Sequence, residues 1–219
     1  KFKEFLKKIS AGGAQPLADL LATRWIVHKQ YLMTLEMKGI PIVETFVVDK
    51  KILFFLKNML GRPGWDEFVV KPAVGGGGDG VERCANATAV EAEVQRRLNE
   101  EEVPDLLIQP FMSRVSELGE LSFVFINGTL LHAVRKEPKG WSAHNAQPVT
   151  RLDQPPAEAE RIAWRALKVA HELMAPEERL QSALGKSAPL PDLLIYLARV
   201  DLLPGNDGHW LVSELELGW

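Results

Sequence analysis

The stretch Phe68-Val-Val-Lys-Pro-Ala-Val-Gly-Gly-Gly-Gly-Asp-Gly80 constrains this chain more than any other. A β-branched run carrying Lys71 reads as a strand, and the loop that follows, 75–80, holds five glycines in six positions. Glycine lets main-chain N–H groups approach an anion closely and reaches φ > 0 without strain. A lysine presented from the preceding strand adds a positive point charge at the same place. Together they describe a phosphate cradle. The competing reading is a flexible linker after an edge strand.

The order of parts removes three familiar nucleotide sites. A P-loop ends its glycine run in Gly-Lys-Ser/Thr, whereas this one continues Gly80-Val-Glu82. Gly75-x-Gly77-x-x-Gly80 formally matches the dinucleotide fingerprint, but a helical pattern resumes only near Thr88. A protein kinase would place its lysine after the glycine loop, with His-Arg-Asp and Asp-Phe-Gly downstream, and neither motif occurs.

Composition narrows the class further. A length of 219 residues allows one large domain or two small lobes with a substantial core. The net charge of −3 gives no electrostatic case for nucleic acid. No apolar run approaches the ~20 residues that span a bilayer, so no membrane partner is expected. Cys84 is the only cysteine, which excludes a disulfide framework and a cysteine zinc site and suits a reducing, cytoplasmic compartment. The chain starts at Lys1 and stops at Trp219 after a strand-like run, and it is expected to be a portion of a longer protein.

Along the chain, residues 1–23 read as a short helical pattern and a Gly-Gly turn. His28–Lys38 reads as a helix stopped by Gly39 and Pro41, and Ile42–Val48 as a strand. A short helix over Ile52–Leu60 and a strand over Glu67–Ala73 follow. Thr88-Ala-Val-Glu91 is a capping box before Val90, Val94 and Leu98 at helical spacing. Leu106–Gln109 reads as a buried strand. Leu121–Ile126 and Thr129–Arg135 form a hairpin about Asn127-Gly128. Residues 138–157 read as a long functional loop, and Pro155-Pro156 opens a helix to about Leu173 with His171 facing outward. Leu193–Leu202 and Trp210–Leu217 read as two strands joined by Pro204-Gly-Asn-Asp-Gly208.

That last pair carries chemistry. Arg199 and Asp201 are two apart, as are Glu214 and Glu216, so each pair shares one strand face. In a hairpin, one guanidinium and three carboxylates meet on one patch. Such carboxylates repel one another unless a cation neutralises them, and hard oxygen ligands suit Mg²⁺ shared with substrate phosphates. The alternative is a solvated strand face with ion pairs.

The arrangement resembles the ATP-grasp superfamily, across roughly residues 24–217. Five segments match in order: Trp25-Ile-Val-His-Lys29 with Lys38-Gly-Ile-Pro-Ile-Val-Glu-Thr45; Val69-Val-Lys71-Pro with the glycine loop; Leu107-Ile-Gln-Pro-Phe111; Gly119-Glu-Leu-Ser122 with His132-Ala-Val-Arg-Lys136; and Arg199-Val-Asp201 with Glu214-Leu-Glu216. The fourth and fifth look most like the glutathione-synthetase-like carboxylate–amine ligases, including those of cycloserine-type biosynthesis.

The resemblance implies an α+β fold, two α+β lobes with ATP held between them. The first lobe would be 24–109 and the second 110–219, with 1–23 a remnant of a preceding region. It implies that Lys29 and Lys71 contact the α- and β-phosphates beneath the backbone of Gly76, Gly77, Gly78 and Gly80. Gln109 to Phe111 would hold adenine through main-chain hydrogen bonds, and Glu120 would touch ribose or the adenine side. Lys136 and Arg199 would act on the β- and γ-phosphates as the catalytic cations, and Asp201, Glu214 and Glu216 would hold Mg²⁺. The implied reaction joins a small-molecule carboxylate to an amine through an acylphosphate. A small-molecule kinase and a non-catalytic nucleotide-binding module are the alternatives, and a homo-oligomer is compatible. Where many relatives carry Glu-x-Asn, this chain has Glu214-Leu-Glu216. His144, in the 138–157 loop, is a candidate for acceptor binding, while Cys84 and the six tryptophans read as packing residues.

Overall fold

The computed structural model describes residues 20–49, 52, 56–100, 105–138, 149–174 and 195–218, with Glu4 and Lys8. Of the pattern expected over 1–23, residues 1–19 other than Glu4 and Lys8 lie outside the described residues, as does the candidate His144. The elements run α1 (Leu20–Ile26), α2 (Tyr31–Met37), β1 (Phe46–Val48), α3 (Leu56–Leu60), β2 (Phe68–Pro72), β3 (Glu82–Cys84), α4 (Ala87–Leu98) and β4 (Leu106–Pro110). Then come α5 (Val115–Leu118), β5 (Glu120–Ile126), β6 (Thr129–Lys136), β7 (Val149–Leu152), α6 (Ala157–Met174), β8 (Leu197–Pro204) and β9 (Trp210–Leu217).

Two sheets result, both built from antiparallel pairs. The first has the order β1-β4-β2-β3. Its inner strand β4 is buried along its whole length, as a continuous apolar run between two neighbours should be. Helix α4 lays Val90, Val94 and Leu98 against Phe68, Val70, Leu106 and Ile108. The cap of α4 is Asn86, whose Oδ1 accepts from Ala89 N at 2.9 Å, so Thr88 lies inside the first turn and does not cap.

The second sheet has the order β7-β6-β5-β8-β9. The β5–β6 turn is at Asn127 and Gly128, with φ of 46° and 67°, the left-handed pair that an Asn-Gly hairpin favours. Part of the expected 138–157 loop is a strand: β7 pairs with Ala133–Lys136. Its side chains are exposed or half-buried, so no apolar alternation announced it. Helix α6 covers the sheet with Ala159, Ile162, Ala163, Ala166, Leu167 and Ala170. His171 is buried, not outward-facing. It follows Leu167 by one turn and sits on the margin of the same stripe.

Residues before the first sheet belong to the second core. Tyr31, Leu32, Leu35 and Ile40 pack with Phe123, Val200 and Leu215, and Leu215 N–H donates to the Tyr31 hydroxyl at 2.8 Å. The strand expected over 42–48 is divided accordingly. Ile42 bridges Val212 of β9 in parallel, and only Phe46–Val48 joins the first sheet. The short segment between them links the sheets and forms part of the floor of the cleft.

Candidate nucleotide and metal site

A cavity of ≈ 160 Å³ opens between the sheets. Its walls come from both: Val69 and Lys71 of β2, the glycine loop, Gln109 to Met112, then Glu120 of β5, Leu203 of β8, and Ser213 and Glu214 of β9. Lys29 reaches in from the turn between α1 and α2. Of the expected nucleotide residues, Lys29, Lys71, Gly76, Gly78, Gln109, Phe111 and Glu120 all line this one space.

The position of Lys29 is set by its backbone, since Lys29 N–H donates to Ala73 O at 2.8 Å and Ala73 N–H to Asp105 O at 2.7 Å. The neighbouring His28 Nδ1 accepts from Gln30 N–H, and Nε2 donates to Asp105 Oδ2 at 3.1 Å. The ammonium of Lys29 is buried and divides itself between Gly75 O at 2.5 Å and Glu214 Oε1 at 3.0 Å. Lys71 makes no ion pair among the described residues. Burial lowers its pKa, Glu214 opposes the shift and Lys29 adds to it. Glu120 also opposes the shift, and an anionic ligand would add to that stabilisation of the buried ammonium.

Between these lysines the loop is shaped by its backbone. Gly75, Gly77, Gly78 and Gly80 all have positive φ. Gly76 and Gly77 have open space where a side chain would begin, so a ligand can come close to the main chain there.

At the far end, Phe111 N–H donates to Glu67 O at 2.8 Å and Phe111 O accepts from Asn206 Nδ2 at 3.1 Å. The main chain of Phe111, expected to serve adenine, is thus engaged within the protein. Gln109 is buried and donates from Nε2 to Thr45 Oγ1 at 2.8 Å. Val43, Val69, Met112 and Leu203 give this end of the cleft an apolar lining.

The charged patch forms as the spacing implied. Strands β8 and β9 pair Arg199 with Glu216 and Asp201 with Glu214. Arg199 Nε lies 2.9 Å from both oxygens of Asp201, and Nη2 reaches Asp201 Oδ2 and Glu216 Oε1 at 2.7 Å each. Lys136, opposite Glu120 in the β5–β6 ladder, binds Glu120 Oε1 at 2.6 Å and stands 3.7 Å from Asp201 Oδ2. Burial, and then the charge of Asp201, push the Glu120 carboxyl up to about 7, with Lys136 pulling the other way. Burial also raises Glu216. Burial alone would lower Arg199, but Asp201 outweighs it and holds the guanidinium above its ordinary value.

Among the described residues, no three metal-ligating side chains of His, Cys, Asp or Glu are gathered closely enough to hold an ion. The cause is visible: Arg199 lies between Asp201 and Glu216, and Lys29 holds Glu214. The donor set itself is three carboxylates in neighbouring ladder positions, hard oxygen ligands of the kind that Mg²⁺ takes.

Several participants escaped the sequence reading. Ser122 donates to Asp201 Oδ1 at 2.5 Å, and the Ser213 hydroxyl donates to Asp201 O at 3.1 Å. Ser122 lies two residues from Glu120 and opposite Asp201, so the strand period could have found it. Asn206 and Arg97 act through main-chain carbonyls, and no motif flags them.

No family model matches the chain. It is 31% identical over 207 residues to the cycloserine biosynthesis protein DcsG of Streptomyces lavendulae, across 89% of this chain and 62% of that protein. The chain therefore spans less than two thirds of that relative. The crystal structure of D-cycloserine synthetase DcsG superposes with a TM-score of 0.80 at 26% identity, over 99% of this chain and 70% of that one. D-alanine–D-alanine ligase from Bacillus anthracis complexed with ATP gives 0.65 at 16% identity, over 97% and 62%. The ATP-grasp ligase PsnB with Mg and ADP gives 0.57 at 16%, over 96% and 56%. These last two speak to the fold alone. No described helix is long and apolar enough to cross a membrane. With two antiparallel sheets, a glycine loop and a lysine-lined cleft between them, this chain has the fold of the ATP-grasp ligases.

Proposed function

We propose that the chain is the nucleotide-binding portion of an ATP- and Mg²⁺-dependent carboxylate–amine ligase. One observation carries the reading: Lys29, Lys71, the glycine loop, Glu120 and Glu214 face a single cleft whose walls come from both sheets. Lys29 and Lys71 would bind the α- and β-phosphates, with the main chain of Gly76, Gly77, Gly78 and Gly80 over them. Adenine would enter the apolar end near Gln109 and Phe111, and Glu120 would face the ribose. Lys136 and Arg199 would neutralise charge on the transferred group. Asp201, Glu214 and Glu216 would hold Mg²⁺, whose chemistry is to shield the phosphate oxygens. A first lobe over 24–109 and a second over 110–219 belong to the same reading, as does a reducing, cytoplasmic setting for the free Cys84.

In this reaction a carboxylate oxygen attacks the γ-phosphorus and the bond to the β-phosphate oxygen breaks, giving an acylphosphate and ADP. An amine nitrogen then attacks the acyl carbon, phosphate leaves and the nitrogen loses one proton. The protein mainly positions reactants and balances charge. Likeness to D-cycloserine synthetase supports a small, amino-acid-like substrate for this chain.

Titration of Mg²⁺-ATP into the protein is expected to show saturable binding, lost in Lys71→Ala, and ADP release only when acid and amine are both present. A second reading, a non-catalytic nucleotide module, is favoured by the internal pairing of Glu214 with Lys29 and of Glu216 with Arg199. It predicts binding without amine-dependent ADP release. Phosphate transfer to a hydroxyl compound would mark the kinase alternative.

A further inference from the structure

The glycine loop is fastened at both ends by cations arriving from different directions. At the entry, Gly75 O accepts from Lys29 Nζ, a residue of the cleft itself. At the exit, Gly80 O accepts from Arg97 Nη1 at 2.5 Å. Arg97 does not line the cleft. It rises from α4, is 8% exposed, and fixes its Nε on Glu93 Oε1 at 2.5 Å. The Glu93 carboxyl is held at about 2, first by the hydrogen bond from Arg96 and also by Arg97, so the clamp stays ionised at any neutral pH.

Gly80 leaves no slack at this point. Its φ is +70°, and a Cβ there would stand 2.9 Å from Pro72 Cγ and 3.6 Å from Arg97 Nη1. Between the two fastenings, Gly76 and Gly77 meet nothing. A guanidinium serving only its own helix would not need to turn a donor onto a loop carbonyl 17 residues away.

We infer that Arg97 is a positioning residue for the nucleotide, one that sets the height of the loop N–H groups over the cleft by holding Gly80 from behind. The inference rests on the proposed nucleotide site. Lysine cannot replace arginine fully, because one ammonium has no planar fork to hold Glu93 and Gly80 together.

The test compares wild type, Arg97→Met and Arg97→Lys by Mg²⁺-ATP calorimetry, thermal melting, and the rate at which an Asp-directed protease cuts before Asp79 without nucleotide. Arg97→Met is expected to weaken Mg²⁺-ATP binding about tenfold and to speed the cut, with Arg97→Lys restoring part of both. A lowered melting temperature with binding within about twofold of wild type and an unchanged cut would be a purely structural arginine, and would overturn the inference. Should Arg97→Met fail to fold, Arg97→Lys decides by the same criteria. If wild type binds no Mg²⁺-ATP, the nucleotide reading fails on its own, and the cutting rate alone decides whether Arg97 fastens the loop.

Discussion

Arg199 grips Asp201 with two nitrogens, Nε at 2.9 Å and Nη2 at 2.7 Å, and the same Nη2 meets Glu216 across the ladder at 2.7 Å. The guanidinium therefore occupies the ground between the carboxylates that the sequence assigns to a metal. The guanidinium is their counter-ion. Under the proposed function, a phosphate drawing Arg199 away would release the carboxylates at the same moment and would couple nucleotide binding to metal binding.

Asp201→Ala takes from Arg199 its bidentate partner and from Ser122 its acceptor. With Asp201 2% exposed, the loss is expected to be about 3 kcal/mol, the low end for breaking a buried pair because Glu216 remains. Urea unfolding measures it. The same variant should lose the Mg²⁺ dependence of nucleotide binding.

Glu120 makes stability depend on pH. Its folded value of about 7 stands above the ordinary 4.5, so the folded state holds the proton more tightly. The associated stability is complete below 4.5 and disappears as pH rises through about 7. Glu120→Gln cannot titrate. The stability of wild type minus that of Glu120→Gln should therefore fall between pH 4.5 and 7, and a flat difference would contradict the raised carboxyl.

Lys71→Met separates binding from folding. Its ammonium lacks an ion pair among the described residues and is disfavoured by burial, so its loss should change stability by less than about 1 kcal/mol. Mg²⁺-ATP affinity should drop about tenfold or more, since a phosphate would lose its charged donor. Melting and calorimetry on one preparation test both halves.

Two glycines of one loop should respond oppositely to alanine. Gly80→Ala meets Pro72 Cγ at 2.9 Å with φ at +70°, and is expected to destabilise by about 1–2 kcal/mol. Gly76→Ala meets nothing and needs no left-handed backbone, so stability should hold while Mg²⁺-ATP binding weakens from a methyl over the phosphates.

Asn206 joins the β8–β9 turn to the segment that follows β4, accepting from Ser113 N–H and Oγ and donating to Phe111 O. Asn206→Ala is expected to cost about 1 kcal/mol, reduced by its exposure, and to loosen nucleotide binding. Hydrogen exchange at Ser113 would rise if the clamp is real.

What the sequence announced were features with strong local rules. Lys71 and its glycines, the Asn127-Gly128 turn and the two-residue spacing of Arg199 with Asp201 each fix geometry within a few residues. Strands β3 and β7 did not announce themselves, both being short and on sheet edges, and β7 mostly exposed. His171 was misplaced because it sits one step beyond a stripe of alanines that helical spacing drew too narrowly. The pairing of Glu214 with Lys29 was hidden for another reason: periodicity puts carboxylates on a face but does not say which distant cation will meet them.

The contact between Tyr31 and Leu215 spans 184 residues. The first sheet and α4 lie within residues 46–110 and share their own apolar cluster, so that unit can condense while the rest is still being made. Helix α2 must wait for β9, about 180 residues later, or about 9–36 s at a ribosomal pace of ~5–20 residues/s. For that interval Leu32, Leu35 and Ile40 are uncovered on the nascent chain, and a chaperone that recognises this early segment would find its target before the cleft exists.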